Sequence, residues 1–169
     1  VYKTVHKLIN SGEIGTLESI IQYAHTTLLH GHIHSIDTIS FLNNDIEIQA
    51  VRGQLSPTPA PWEPSTINDI SFTNNKLESD PSSTFEIVFE NEVQAWSIPT
   101  GKWGFEIFGT EGSIRTYENE REIILRQADQ SLQKKVRGKI YSPWKSKRIP
   151  EMNPKSASQT ALEDLVNAL

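Results

Sequence analysis

Apolar residues recur at helical spacing from the first position. Val1, Val5, Leu8 and Ile9 share one face, and Ser11-Gly12 follows as a stop, with glycine supplying the left-handed conformation common after a helix. Gly12 to Gly15 reads as a turn. Residues 17–23, Leu-Glu-Ser-Ile-Ile-Gln-Tyr, are short and rich in β-formers, which predicts a strand. A second helix is predicted over residues 28–42, closed by Asn43-Asn44-Asp45. Residues 46–55 alternate as a strand, with Ile46, Ile48, Ala50 and Gly53 on one side. Prolines at 57, 59, 61 and 64 then predict an extended loop, because they remove consecutive backbone donors from any central ladder. The runs 84–90, 94–99, 104–109, 113–118 and 122–127 are each strand-length. They are separated by turn signals at Asn91-Glu92, Thr110-Glu111-Gly112 and Asn119-Glu120.

The pattern predicts an α+β domain: a mixed, mostly antiparallel open sheet of about six strands, with helices on one face and the other face open. An open face of that size suits a subunit interface. Residues 130–154 carry Lys134, Lys135, Arg137, Lys139, Lys145, Lys147 and Arg148 with Tyr141 and Trp144 between them, and read as a solvated excursion before a last helix. In that helix Leu162, Leu165, Val166 and Leu169 fall at i, i+3, i+4 and i+7. The chain opens in mid-helix at Val1 and closes in mid-pattern at Leu169, which reads as one piece of a larger protein.

A chain of 169 residues, 36% hydrophobic and 22% charged, is sufficient for one domain spanning residues 1–169 with a real core. Its net charge of -5, without a basic stripe, argues against nucleic acid or an anionic membrane as partner. No apolar run approaches the roughly 18 residues of a membrane span, and the opening residues do not form a signal peptide. The lack of cysteine agrees with a cytoplasmic location.

Four of the five histidines, His25, His30, His32 and His34, lie within residues 25–40. On a helix His30, His34, Asp37 and Phe41 follow at i, i+4, i+7 and i+11, so one face carries two imidazoles and a carboxylate, with His32 pointing elsewhere. Such groups transfer protons near neutrality to or from a hydroxyl or carbonyl. The same face could hold a metal with His25 or His32 completing the set, although the metalloprotease helix motif fails for want of a glutamate beside the first histidine. Simple hydrogen-bonded structural histidines are the third reading. Tyr23 and His25 end a strand just before the helix, from where side chains can reach a pocket at the sheet edge. Among the tryptophans, Trp103 follows a turn and is the best placed to line a sugar site, whereas Trp96 lies within a strand as core or interface. Gly109-Thr110-Glu111-Gly112 lacks the lysine and helix of a phosphate loop and reads as a hairpin turn.

Several segments together resemble the C-terminal domain of the Gfo/Idh/MocA oxidoreductase family, named after glucose-fructose oxidoreductase and inositol dehydrogenase. These are Leu8-Ile-Asn-Ser-Gly-Glu-Ile-Gly15 leading into a strand, Gly31-His-Ile-His-Ser-Ile-Asp37 followed by Phe41-Leu42, Phe105-Glu-Ile-Phe-Gly-Thr-Glu-Gly-Ser-Ile114, and the helix over 162–169. The resemblance implies a fold like the C-terminal domain of glyceraldehyde-phosphate dehydrogenase. It also implies that this domain shapes the substrate pocket and helps build an oligomer, while a separate N-terminal Rossmann domain binds NAD or NADP. Neither the dinucleotide fingerprint nor the family's Glu-Lys-Pro segment occurs in this chain, so the domain alone is expected to bind no cofactor and to turn over no substrate.

The family's catalytic pattern is an aspartate four residues before a histidine. His34 matches the histidine; His30 stands where the aspartate would be. The resemblance thus implies His34 as acid/base in hydride transfer to or from a sugar, polyol or related carbonyl compound, with His30 as auxiliary. Asp37, a motif position that looks more like support and could fix the His34 tautomer, joins His25, Tyr23 and Trp103 as the candidate substrate-binding residues. The alternative is a non-catalytic ligand-binding or oligomerisation domain, since the missing aspartate and cofactor domain both remove chemistry.

Overall fold

The computed structural model describes residues 1–23, 31–59, 81–100, 102–117, 122–150 and 165–166. Helix α1 (Tyr2–Asn10) buries Val5 and Ile9. Beyond its end Gly12, at φ 78°, donates its N–H to the Ile9 carbonyl (3.0 Å), and Glu13 donates to Leu8 (3.2 Å), pairing carbonyls that the helix leaves open. Strand β1 (Leu17–Tyr23) follows. Helix α2 (His32–Leu42) closes in the same manner, with Asn44 at φ 57° in the glycine's place. The Asn44 N–H reaches Phe41 and that of Asp45 reaches Ser40. Asparagine is one of the few residues other than glycine that visits this conformation routinely. The first turn of the helix expected over 28–42 falls outside the described residues.

The remaining strands are β2 (Ile48–Pro59), β3 (Pro81–Phe89), β4 (Gln94–Ile98), β5 (Gly104–Gly109), β6 (Gly112–Tyr117), β7 (Glu122–Ala128), β8 (Lys134–Val136), β9 (Lys139–Tyr141) and β10 (Trp144–Ile149). Eight of them form one sheet in the order β10-β7-β6-β5-β1-β4-β3-β2; β8 and β9 form a separate hairpin. β1 runs parallel to β4, and every other pair in the sheet is antiparallel. This is the mixed, largely antiparallel α+β architecture expected.

Directly opposed residues share a face. The row Ile87, Ala95, Ile20, Ile107, Ile114 and Leu125 crosses six strands, and each of its members is buried. Val5 and Ile9 of α1 and Ile39 and Leu42 of α2 complete this core. The opposite row is Glu86, Trp96, Ile21, Glu106, Arg115 and Ile124. Among the described residues no helix covers it, and the face is an apolar floor crossed by charges.

Three expectations are corrected. The proline-rich loop predicted from residue 56 is still strand as far as Pro59, because β2 is the edge of the sheet and a proline there withholds no bond from an inner ladder. Within β2, Ile48 opposes Phe89 while Ala50 opposes Val88, so an irregularity between them puts Ala50 on the face opposite to Ile48 and Gly53. The excursion over 130–154 instead contains a short 3₁₀ turn (Gln130–Leu132), the β8–β9 hairpin and β10, which pairs with β7 as the other edge strand. Most of the helix expected over 161–169 lies outside the described residues.

The β5–β6 turn is fastened to the segment before β1: Thr110 and Glu111 donate their N–H groups to the carbonyls of Thr16 (3.0 Å) and Ile14 (2.9 Å). A Cβ on Gly109 would collide with the Ile14 carbonyl and lie 2.9 Å from that of Thr16. Gly109→Ala is therefore expected to destabilise the domain by roughly 2–3 kcal/mol, read from its denaturant midpoint. An unchanged midpoint would show that this contact yields freely.

Candidate functional site

Helix α2 is built the wrong way round for a helix lying on a sheet. Its buried side carries His32, Ser35 and Thr38 beside Ile39 and Leu42, while Ile33 and Ile36 are 65% and 40% exposed. His34 and Asp37 are exposed on the same outward side. Among the described residues no hydrogen bond links His34 to Asp37, and both groups face outward. His25 and His30 lie outside the described residues, as does Trp62.

His32, which the spacing sets apart from the His34 face, is the buried one among the described histidines. Its Nε2 lies 2.9 Å from the Ser83 hydroxyl, and its ring meets Phe85 edge-on at 5.2 Å. Alongside, the buried Ser97 hydroxyl donates to Gln22 Oε1 at 2.5 Å, and Gln22 Nε2 donates to the Tyr23 carbonyl at 3.2 Å. A hydrogen-bonded polar layer therefore lies beneath the start of α2, where β1, β3 and β4 meet. Polar groups so buried need such partners. Its signal in the sequence was slight: Ser83 and Ser97 occupy inward positions of strands whose other inward residues are apolar.

Tyr23 and Trp103 are brought together, away from α2. Tyr23 leaves β1 on the open face, and both residues line a cleft of about 460 Å³ at the sheet end with Thr100, Lys102, Arg115 and Tyr117. The Trp103 indole N–H donates to the Tyr2 hydroxyl, and its ring packs edge-on against Phe105 at 5.9 Å. The Arg115 guanidinium lies over the Tyr117 ring, 4.7 Å from its centre. The sequence reading missed Lys102, beside Trp103 in the chain, and Arg115 and Tyr117, which reach the cleft through strand pairing.

The Tyr23 hydroxyl donates to Glu106 Oε2 at 2.9 Å. Burial, then that bond and the carboxylate's charge, push the phenol from 10.0 up to about 12. Between those values the unfolded chain gives up this proton while the folded chain keeps it. The associated stability is thus complete below pH about 10 and is lost as the pH rises through about 12. Tyr23→Phe is expected to lack this part of the alkaline loss. Denaturant midpoints that fall in parallel for both proteins across that range would refute it.

A broader groove of about 1090 Å³ lies at the opposite end of the strands, lined by residues including Glu13, Glu111, Gln127, Asp129, Lys145 and Lys147. Its charges offset one another, and Gln127 bridges to both the backbone and the carboxylate of Glu13. The Ser131 hydroxyl holds the Asp129 carboxyl below the usual range. This groove has no aromatic wall, and none of the residues marked for chemistry reaches it. Among the described residues no three histidine or acidic side chains converge as a metal site requires, and no helix is long and apolar enough to cross a membrane.

No protein-family model and no curated protein sequence matches the chain. Solved structures do. Aldose-aldose oxidoreductase from Caulobacter crescentus superposes with a TM-score of 0.63 at 13% identity, over 99% of this chain and 50% of its own. UDP-N-acetylglucosamine 3-dehydrogenase from Acidithiobacillus ferrooxidans gives 0.61 at 12% identity, over 99% of this chain and 51% of its own. An NAD-binding protein from Listeria innocua gives 0.57 at 16% identity, over 99% and 54%. The fold is that of the α+β C-terminal domain of Gfo/Idh/MocA-type oxidoreductases. The chain spans about half the length of the structures it matches.

Proposed function

We propose that this chain is the substrate-binding domain of an NAD(P)-dependent oxidoreductase acting on a sugar, polyol or related carbonyl compound, and that an N-terminal Rossmann domain of the same protein holds the cofactor. The observation that carries this reading is the inverted helix α2, which turns His34 and Asp37 outward in company with Ile33 and Ile36. Exposed isoleucines beside ionisable groups fit a face that another domain covers. The described residues offer no strand-turn-helix cradle for a dinucleotide's phosphates, because Gly109 to Gly112 is the turn of an antiparallel hairpin. In this reading the cofactor is held mainly by the Rossmann domain.

In this reading His34 accepts the proton of a substrate hydroxyl during oxidation and returns it during reduction, with His30 assisting and Asp37 and His25 bordering the substrate. The nicotinamide, when bound, supplies the acceptor or donor of hydride. Excluding water from the His34 face would strengthen each polar contact made there. The sheet face that no described helix covers, with Ile21, Trp96 and Ile124 among charged residues, suits assembly with a second copy of the protein. The alternative of a non-catalytic ligand-binding or assembly domain draws on that same face and on His30 in the aspartate's place. An assay of the whole protein for reduction of NAD and NADP by a panel of sugars and polyols separates the two. Turnover with any of them supports the oxidoreductase, and none with either nucleotide favours the assembly domain.

A further inference from the structure

We propose that the cleft between Tyr23, Trp103 and Tyr117 is a binding site for an anionic sugar, one that joins a ring with an apolar face to a phosphate or carboxylate. The site is separate from the outward face of α2 and does not depend on the role of His34, because Tyr23 projects from the opposite side of the sheet. Its volume of about 460 Å³ falls within the roughly 300–1,000 Å³ typical of small-ligand sites.

The chain carries a net -5, yet Lys102 and Arg115 both line this one cleft. Among the described residues neither is ion-paired with a carboxylate. Glu106, opposite Arg115 in the ladder, accepts the Tyr23 hydroxyl at 2.9 Å. Glu122, opposite Tyr117, is held by Arg148, whose Nε lies 2.7 Å from its Oε1. Two cations with no carboxylate of their own match an anion, and a guanidinium can hold a phosphate or carboxylate through two bonds.

Three aromatic side chains of the cleft provide apolar ring surface, and two of them are fixed in place before a ligand arrives. The Trp103 indole is tied to Tyr2 and packed on Phe105, and Tyr23 is tied to Glu106. Arg115 already lies over the Tyr117 ring. Such preorganisation lowers the ordering cost of binding, and aromatic rings beside polar groups match a sugar's apolar face and hydroxyls.

Calorimetric titration of the protein with glucose 6-phosphate, glucuronate, glucose and inorganic phosphate tests the proposal, with the first two distinguishing phosphate from carboxylate. At least one of the two sugar anions is expected to bind at least about tenfold more tightly than both glucose and inorganic phosphate. Arg115→Met and Lys102→Met should each weaken that binding at least about tenfold, and Tyr117→Ala should weaken it as well, all with unchanged circular dichroism. Lys134→Met, in the distant β8–β9 hairpin, should not. No binding by either sugar anion, equal binding of glucose or phosphate, or indifference to Arg115→Met in a folded protein would overturn it.

Discussion

His34→Ala in the whole protein is expected to lower turnover by about 10²–10⁴-fold, the usual contribution of a positioned acid or base, while leaving stability within about 0.5 kcal/mol of the parent. The separation of the two effects follows from geometry. His34 stands on the outward side of α2 and takes no part in the core formed by Val5, Ile9, Ile39 and Leu42, so its loss removes chemistry without opening a cavity. Steady-state kinetics and thermal melting on the same preparation check both halves. Turnover equal to the parent would sink the catalytic role. A large fall in melting temperature would instead assign His34 to the fold. An Ile33→Ser companion is informative because it leaves the imidazole in place: loss of domain cover would then appear as a changed assembly or cofactor affinity.

The second large effect is expected at Phe105, whose ring is fully buried. It meets Tyr2 edge-on at 5.5 Å and Trp103 at 5.9 Å, while its backbone N–H donates to the Thr116 hydroxyl at 2.9 Å. It thereby ties α1, β5, β6 and the cleft wall together. Phe105→Ala removes this ring from a region that has rigid backbone on the β6 side, and should cost about 3–5 kcal/mol. Set against the 5–15 kcal/mol by which domains are typically stable, such a loss is large. Chemical denaturation provides the measurement, and a loss below about 1 kcal/mol would show that neighbouring side chains refill the space. Phe105→Leu should cost less and keep Trp103 better ordered.

Where local periodicity carried the information, the fold was readable in advance. The helix over α1, the strand β1 and the run β4 to β7 appear at or within a residue or two of their predicted bounds, because alternating burial writes itself into residue type. β10 was not readable: Trp-Lys-Ser-Lys-Arg-Ile is exposed at five of its six positions, so nothing alternates, and the strand exists by backbone pairing to β7. The extension of β2 through its prolines was hidden for a related reason, since only the sheet order reveals that β2 is an edge. At the site, the His34 and Asp37 face followed from helical spacing. The burial of His32 did not, because its partner Ser83 comes from a strand 51 residues away. Arg115 and Tyr117 likewise stand near Tyr23 only through the pairing of β6 with β5 and of β5 with β1.

The sheet order has a consequence for how the molecule is made. β2, β3 and β4 form one meander, and β5, β6 and β7 form another; consecutive though they are in sequence, β4 and β5 never touch as neighbours, because β1 is wedged between them. The β5–β6–β7 meander closes over short connections and can zip quickly, whereas β2 and β3 are separated by residues 60–80 and β1 must wait for partners that end at Gly109. During synthesis the sequence Leu-Glu-Ser-Ile-Ile-Gln-Tyr leaves the ribosome before β4 and β5 and stays without them until they follow. Its insertion joins two small sheets into a single body, and until then its unpaired edges invite pairing with the wrong chain.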